Sequence, residues 1–232
     1  MLGRARGRGC GILLLRVVVW REFKETLRDR SLLSSVFSVF AFLGMLSVTT
    51  MKLPISAVSI VFHMAPCLGI IVGFGLSVRF VREKQEGTVE TLLCTPLTLR
   101  ELWLGKVVSL TVPSHIVSAA STLALISLRG YTVNALMAVY LAMVVPVVIA
   151  SATGLLGFLY YILGMRQVRT LNYTVFFTLF ATLYLVMGRL ASPTILTWCS
   201  ASIVLALSLV IFGITYYLIT HLSKERIVTT IS

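Results

Sequence analysis

Residues 79–106 read RFVREKQEGTVETLLCTPLTLRELWLGK, and nine of these side chains are charged. At about 2.5–3.5 kcal/mol for each charge brought to the centre of a bilayer, such a segment stays in water. On either side lie Leu53–Val78 and Val107–Leu128, apolar runs of the length a spanning helix needs, about 20 residues. A polar loop between two such runs predicts an all-α integral membrane protein. Cutting the rest of the chain at its charges gives six spans in all, 31–51, 53–78, 107–128, 135–163, 170–188 and 196–222. Pro54 stands at the start of the second and Pro66 inside it, while Pro146 offers a bend to the long fourth. Ahead of the spans, residues 1–30 form a basic tail and an amphipathic helix; after them comes a short tail, 223–232.

Composition agrees with that reading. Hydrophobic residues make up 58% of the 232 and charged ones 12%, against about a quarter charged in an ordinary soluble domain, and the mean hydropathy is +0.98. A net charge of +12 in a soluble protein would suggest nucleic acid, but that needs a basic patch on a polar surface. Here the basic residues sit between apolar runs, so no nucleic-acid partner is expected. With six spans, 17 basic and all eight acidic residues fall on one side, leaving Lys52, Arg129 and Arg189 on the other. That asymmetry predicts both termini and the 79–106 loop in the cytoplasm; the expected location is the plasma membrane, as a multi-pass protein. Trp103, Tyr131, Trp198, Tyr216 and Tyr217 lie near span ends and are expected at the membrane interface. Cys10, Cys67, Cys94 and Cys199 are scattered without a CxxC spacing, which predicts reduced, structural thiols. Arg4, Arg6 and Arg8 precede an apolar run as in a signal peptide, but Arg16 breaks that run and no small-residue cleavage site follows. An Arg-rich organelle presequence is the alternative there, opposed by Glu22, Glu25 and Asp29.

Val19, Trp20, Phe23 and Leu27 recur at helical spacing, with Arg21, Glu25 and Arg28 placed to pair along the helix. This predicts an amphipathic helix on the inner membrane surface, the alternative being a solvated lead-in helix. In the loop, Val89, Leu92 and Leu93 share one face and Glu86 and Glu90 another, predicting a short helix over 88–94 opened by Gly87 and closed by Thr95-Pro96. Thr98 and Glu101 then form a T-x-x-E capping box ahead of the next apolar run. A short helix with an apolar face, strung between two rigid spans, suits docking into a partner or resting on lipid headgroups.

At these residues the sequence resembles the permeases of type-2 ATP-binding-cassette (ABC) exporters. Glu86, Gly87, Thr88, Val89, Glu90, Leu92, Leu93, Pro96, Gly105 and Lys106 match that family's pattern, and the basic N-terminal helix, six spans and closing Lys224-Glu225-Arg226-Ile227 extend the likeness over nearly the whole chain. The resemblance implies a coupling helix within Glu83–Cys94 that docks into a separate ABC ATPase subunit. It places Glu83, Glu86, Gly87, Thr88, Glu90, Leu92, Leu93 and Pro96 at the contact, and Trp20, Arg21, Phe23 and Leu27 in a second one. It further implies a second permease chain, identical or homologous, and a cofactor-free chain whose partner binds the ATP and Mg.

Ion-coupled carriers usually hold their ion with intramembrane carboxylates, and no Asp or Glu lies inside any predicted span. Nor is there a GxxxxGK[ST] phosphate loop or a carboxylate pair, metal cluster or activated nucleophile, so an enzyme is not expected. His63 and Cys67, one turn apart beside Met64, are soft ligands that could hold copper or haem iron; alternatively His63 bonds a neighbouring span near the Pro66 kink. His115, beside Pro113, reads as an interior residue. Gly69 and Gly73, then Ser114, Ser118, Ser121 and Thr122, then Ala150, Gly154 and Gly157 mark close helix packing, within the chain or across a dimer seam. Arg166, Gln167 and Arg169 form a short second inner loop. Two other functions fit the same residues: a haem-exporter-like permease of cytochrome assembly, and a non-transporting scaffold that recruits an ATPase.

Overall fold

The computed structural model describes residues 56–85, 98–190 and 197–222, with Trp20, Arg21, Phe23, Lys24, Glu25, Arg28, Ser34, Val36 and Phe37 ahead of them. The first span other than those last three residues, Leu27, the loop helix over 88–94 and the 223–232 tail lie outside the described residues. So do Glu86, Gly87, Thr88, Glu90, Leu92, Leu93 and Pro96.

Every described element is a helix. Helix α1 comprises Ala57–Ser59, a π-helical turn Ile60–Met64 and Ala65–Gln85; α2 is Leu99–Leu128. Helix α3 repeats the first pattern, with Ala135–Val139, a π-helical turn Tyr140–Val144 and Val145–Ile162; α4 is Met165–Leu190 and α5 Trp198–His221. Four segments, Ala57–Glu83, Leu99–Leu128, Ala135–Ile162 and Trp198–His221, are long and apolar enough to cross a membrane. The shortest has 24 residues, about 36 Å of helix against a hydrocarbon core of about 30 Å. These four coincide with the second, third, fourth and sixth predicted spans, and α4, 26 residues long, covers the fifth.

The helix ends follow from local chemistry. At the start of α2 the Glu101 amide donates to Thr98 Oγ1 at 3.3 Å and the Thr98 amide to Glu101 Oε2 at 2.9 Å, the capping box expected from sequence. Gly130, with φ 67°, ends the same helix in the left-handed conformation open to glycine. There the Tyr131 amide reaches back to the Ile126 carbonyl at 3.1 Å. Thr197 and Ser200 cap α5 in the same reciprocal way. The expected inner loop at 166–169 is corrected: α4 already begins at Met165, leaving only Leu163 and Gly164 between α3 and α4. Gln167 explains this, since its Oε1 accepts from the Gly164 amide at 3.3 Å and closes the first turn.

Helices α1, α2 and α3 pack together as the core, with α5 against α3 and α4 at the side of α1. The closest approach runs along the small residues. A Cβ on Gly69 would overlap the Ile149 side chain, and one on Gly73 would lie 2.7 Å from Thr153 Cγ2. Ser118 Oγ donates to the Ala65 carbonyl at 2.5 Å, a bond between α2 and α1. Ser114, Ser118, Ser121 and Thr122 are all buried, so the small-residue stripes serve packing within the chain. On the outside, Ile203, Leu207, Val210, Ile214 and Tyr217 of α5 are exposed, a large apolar face that suits lipid rather than water.

Candidate functional site: the base of the charged loop

Loop residues 86–97 are strung between the last turn of α1 and the Thr98 cap of α2, and the described residues on either side form one cluster. On α1, Arg79 and Glu83 are one turn apart and share a face, with Phe80 beside them. Opposite, Lys106 donates from Nζ to Glu83 Oε2. The Lys106 side chain is 4% exposed and that of Glu83 19%. Desolvating an ammonium is costly, so a buried lysine requires such a carboxylate partner. Lys106 Nζ also lies 5.4 Å from the centre of the Phe80 ring, within cation–π range. Arg79, Phe80, Glu83, Lys106, Ser109 and Leu110 line a small cleft here.

Below this pair the packing is aromatic. Phe80 meets Tyr160 and Tyr161 of α3, with ring centres 6.3 and 5.7 Å apart. Gly157 makes the room, since a Cβ there would sit 3.0 Å from Phe80 Cζ. Tyr160 Oη donates to Asn172 Oδ1 at 2.6 Å and ties α3 to α4. Trp103, three residues before Lys106, is fully buried. Its indole N–H donates to the Gly154 carbonyl at 3.2 Å, and its ring lies 5.6 Å from Phe212 and 6.4 Å from Tyr216 of α5. All five long helices therefore contribute to the floor of the loop.

The N-terminal segment reaches the same place. Arg79 Nη2 donates to Glu25 Oε2 at 3.4 Å, while Arg21 Nε donates to Glu25 Oε1 at 3.0 Å. Trp20 and Phe23 stack with centres 6.5 Å apart, as their helical spacing implies. Glu25 is half exposed, so this outer link is worth at most about 1 kcal/mol.

Two sequence expectations change at this site. Lys106 is a buried anchor inside α2 rather than a loop charge in water, and Trp103 is a core residue rather than an interfacial aromatic. One signal was present for both: Leu99, Trp103, Lys106 and Leu110 fall at i, i+4, i+7 and i+11, one face of a helix, and all four are buried. Glu83, predicted to face a partner, has its carboxylate on Lys106. Elsewhere, Cys67 is a buried free thiol and the His63 ring packs edge-on to Phe62 at 4.9 Å. Among the described residues no group of three His, Cys, Asp or Glu could hold a metal.

The apolar helices and this polar, braced end define an all-helical chain, four of whose helices are long and apolar enough to cross a membrane. Family models, curated proteins and solved structures give no match to the chain.

Proposed function

We propose that the chain is the membrane-spanning permease subunit of an ATP-driven exporter of the type-2 ABC class. In this reading it has six spans, both termini in the cytoplasm and a place in the plasma membrane. Two permease chains enclose the pathway, and a separate ATPase binds ATP and Mg. The observation that carries the reading is the Glu86–Leu93 motif strung between two anchored helix ends, Glu83 held by Lys106 on one side and the Thr98 cap on the other. A loop that receives force passes it on only if its base does not yield. Pushed by closing ATPases, a coupling helix over 88–94 would move α1 and α2 together, because the buried Lys106 pair joins them. The aromatic floor of Phe80, Trp103 and Tyr160 would carry that displacement to α3 and α5.

The test is co-purification of the full chain with the ATPase encoded beside it, followed by ATP hydrolysis in reconstituted vesicles. Combined substitution of Glu86→Ala, Glu90→Ala and Leu92→Ala should abolish the complex and the membrane-coupled hydrolysis. An unaltered complex would remove the docking assignment. Hydrolysis coupled to the chain without movement of any compound in a broad panel would favour the scaffold.

A further inference from the structure

The two π-helical turns lie against each other at the end of the bundle opposite the charged loop. One, Ile60–Met64, precedes Pro66 by two residues; the other, Tyr140–Val144, precedes Pro146 by two. Pro66 has no N–H to offer the Phe62 carbonyl four residues back. Tyr140 supplies the missing donor, its Oη lying 3.3 Å from that oxygen, and the Phe62 and Tyr140 rings are 5.5 Å apart. Tyr140 is 1% exposed, and its hydroxyl is the polar bridge from one turn to the other.

We infer that these turns form a coupled hinge, latched by the Tyr140 hydroxyl, about which the ends of α1 and α3 at 57–59 and 135–139 move together. A π turn holds one residue more than an α turn, so relaxing it to α geometry rotates the segment beyond by about 100°, one residue's share of a helical turn. Toward the charged loop the same helices have no such freedom. Gly69 and Gly73 lie against Ile149 and Thr153 with no space for a methyl group, and Ser118 bonds the Ala65 carbonyl. Motion is thereby confined to the far side of the prolines. Because the latch joins a residue of one π turn to a residue of the other, neither turn changes register without losing it. The inference concerns the bundle itself and holds whether or not the chain is a permease.

The test uses the full chain in lipid nanodiscs, native cysteines replaced, with spin labels at 58 and 138 for the hinged ends and at 78 and 155 for the packed ends. Tyr140→Phe removes the latch and leaves the ring. It should broaden or split the 58–138 distance distribution while the 78–155 distribution stays as in the parent. Unchanged distributions at both pairs, or equal broadening at both, would overturn the inference. Amide exchange on the unsubstituted chain gives a second arm that no folding defect can obscure. Residues 61–65 and 141–145 should exchange at least about tenfold faster than 69–76, since local opening exposes only the hinged turns. Equal protection of the two sets would overturn it as well.

Discussion

Replacing Lys106 with Met keeps most of the side chain's volume and removes the ammonium. Glu83 then loses its bond to Lys106, and Phe80 loses the cation 5.4 Å from its ring. Removing one member of a buried pair costs about 3–5 kcal/mol, and the partial exposure of Glu83, 19%, puts this case near about 3 kcal/mol. For a chain of this length, 1 kcal/mol moves the unfolding midpoint by about 2–4 °C, so Lys106→Met should lower Tm by about 6–12 °C. The double substitution Glu83→Gln with Lys106→Met removes both charges and should recover most of that loss, since no uncompensated charge is left in the partly buried site. Cys67 provides the assay, being a free thiol that is buried until the helices separate. With Cys10, Cys94 and Cys199 replaced by serine, its reaction with a maleimide dye on heating in detergent reports unfolding. A loss in Lys106→Met no greater than in the double mutant would mean that the two residues are not coupled and that the pair does not join α1 to α2.

Gly73→Ala places a Cβ 2.7 Å from Thr153 Cγ2 and should cost about 1–3 kcal/mol by overpacking, with Thr153→Ser restoring part of it; the same thiol assay reads both. Thr98→Ala removes the side-chain acceptor for the Glu101 amide and should destabilise the start of α2 by about 1 kcal/mol, whereas Thr98→Ser keeps the bond. Amide exchange at residues 99–102 distinguishes the two.

Much of this architecture is legible in the sequence because spanning helices answer to a simple rule, length and apolarity. The helix expected over 135–163 is observed as Ala135–Ile162, long and apolar enough to cross a membrane, and a π turn lies just before Pro146, the residue at which a bend was expected. The Thr98–Glu101 cap was readable for the same reason, since it depends on four consecutive residues. The base of the loop was harder. Counting charges treats every lysine alike, so Lys106 joined the water-exposed set although it shares a helical face with Leu99, Trp103 and Leu110, and its partner Glu83 lies 23 residues away. Trp103 likewise has the position of an interfacial aromatic, and it is the close backbone at Gly154, 51 residues on, that draws it into the core. The small-residue stripes announced close packing without naming partners; the pairing of Gly69 with Ile149 and of Gly73 with Thr153 belongs to tertiary structure alone. The π turns carry no periodic signal, and the two prolines mark them only roughly.

In the proposed function, the 86–93 segment is where a partner's ATP hydrolysis reaches the membrane. The most direct measurement of this places a photo-activated cross-linking amino acid at Leu92, and in a second chain at Leu93, in growing cells and identifies the adducts by mass. The proposed function predicts a covalent adduct with a protein bearing the phosphate-binding GxxxxGK[ST] loop of an ATPase, formed at those positions and absent when the cross-linker stands at Leu207 on the exposed face of α5. Adducts with lipid alone at both loop positions would contradict it.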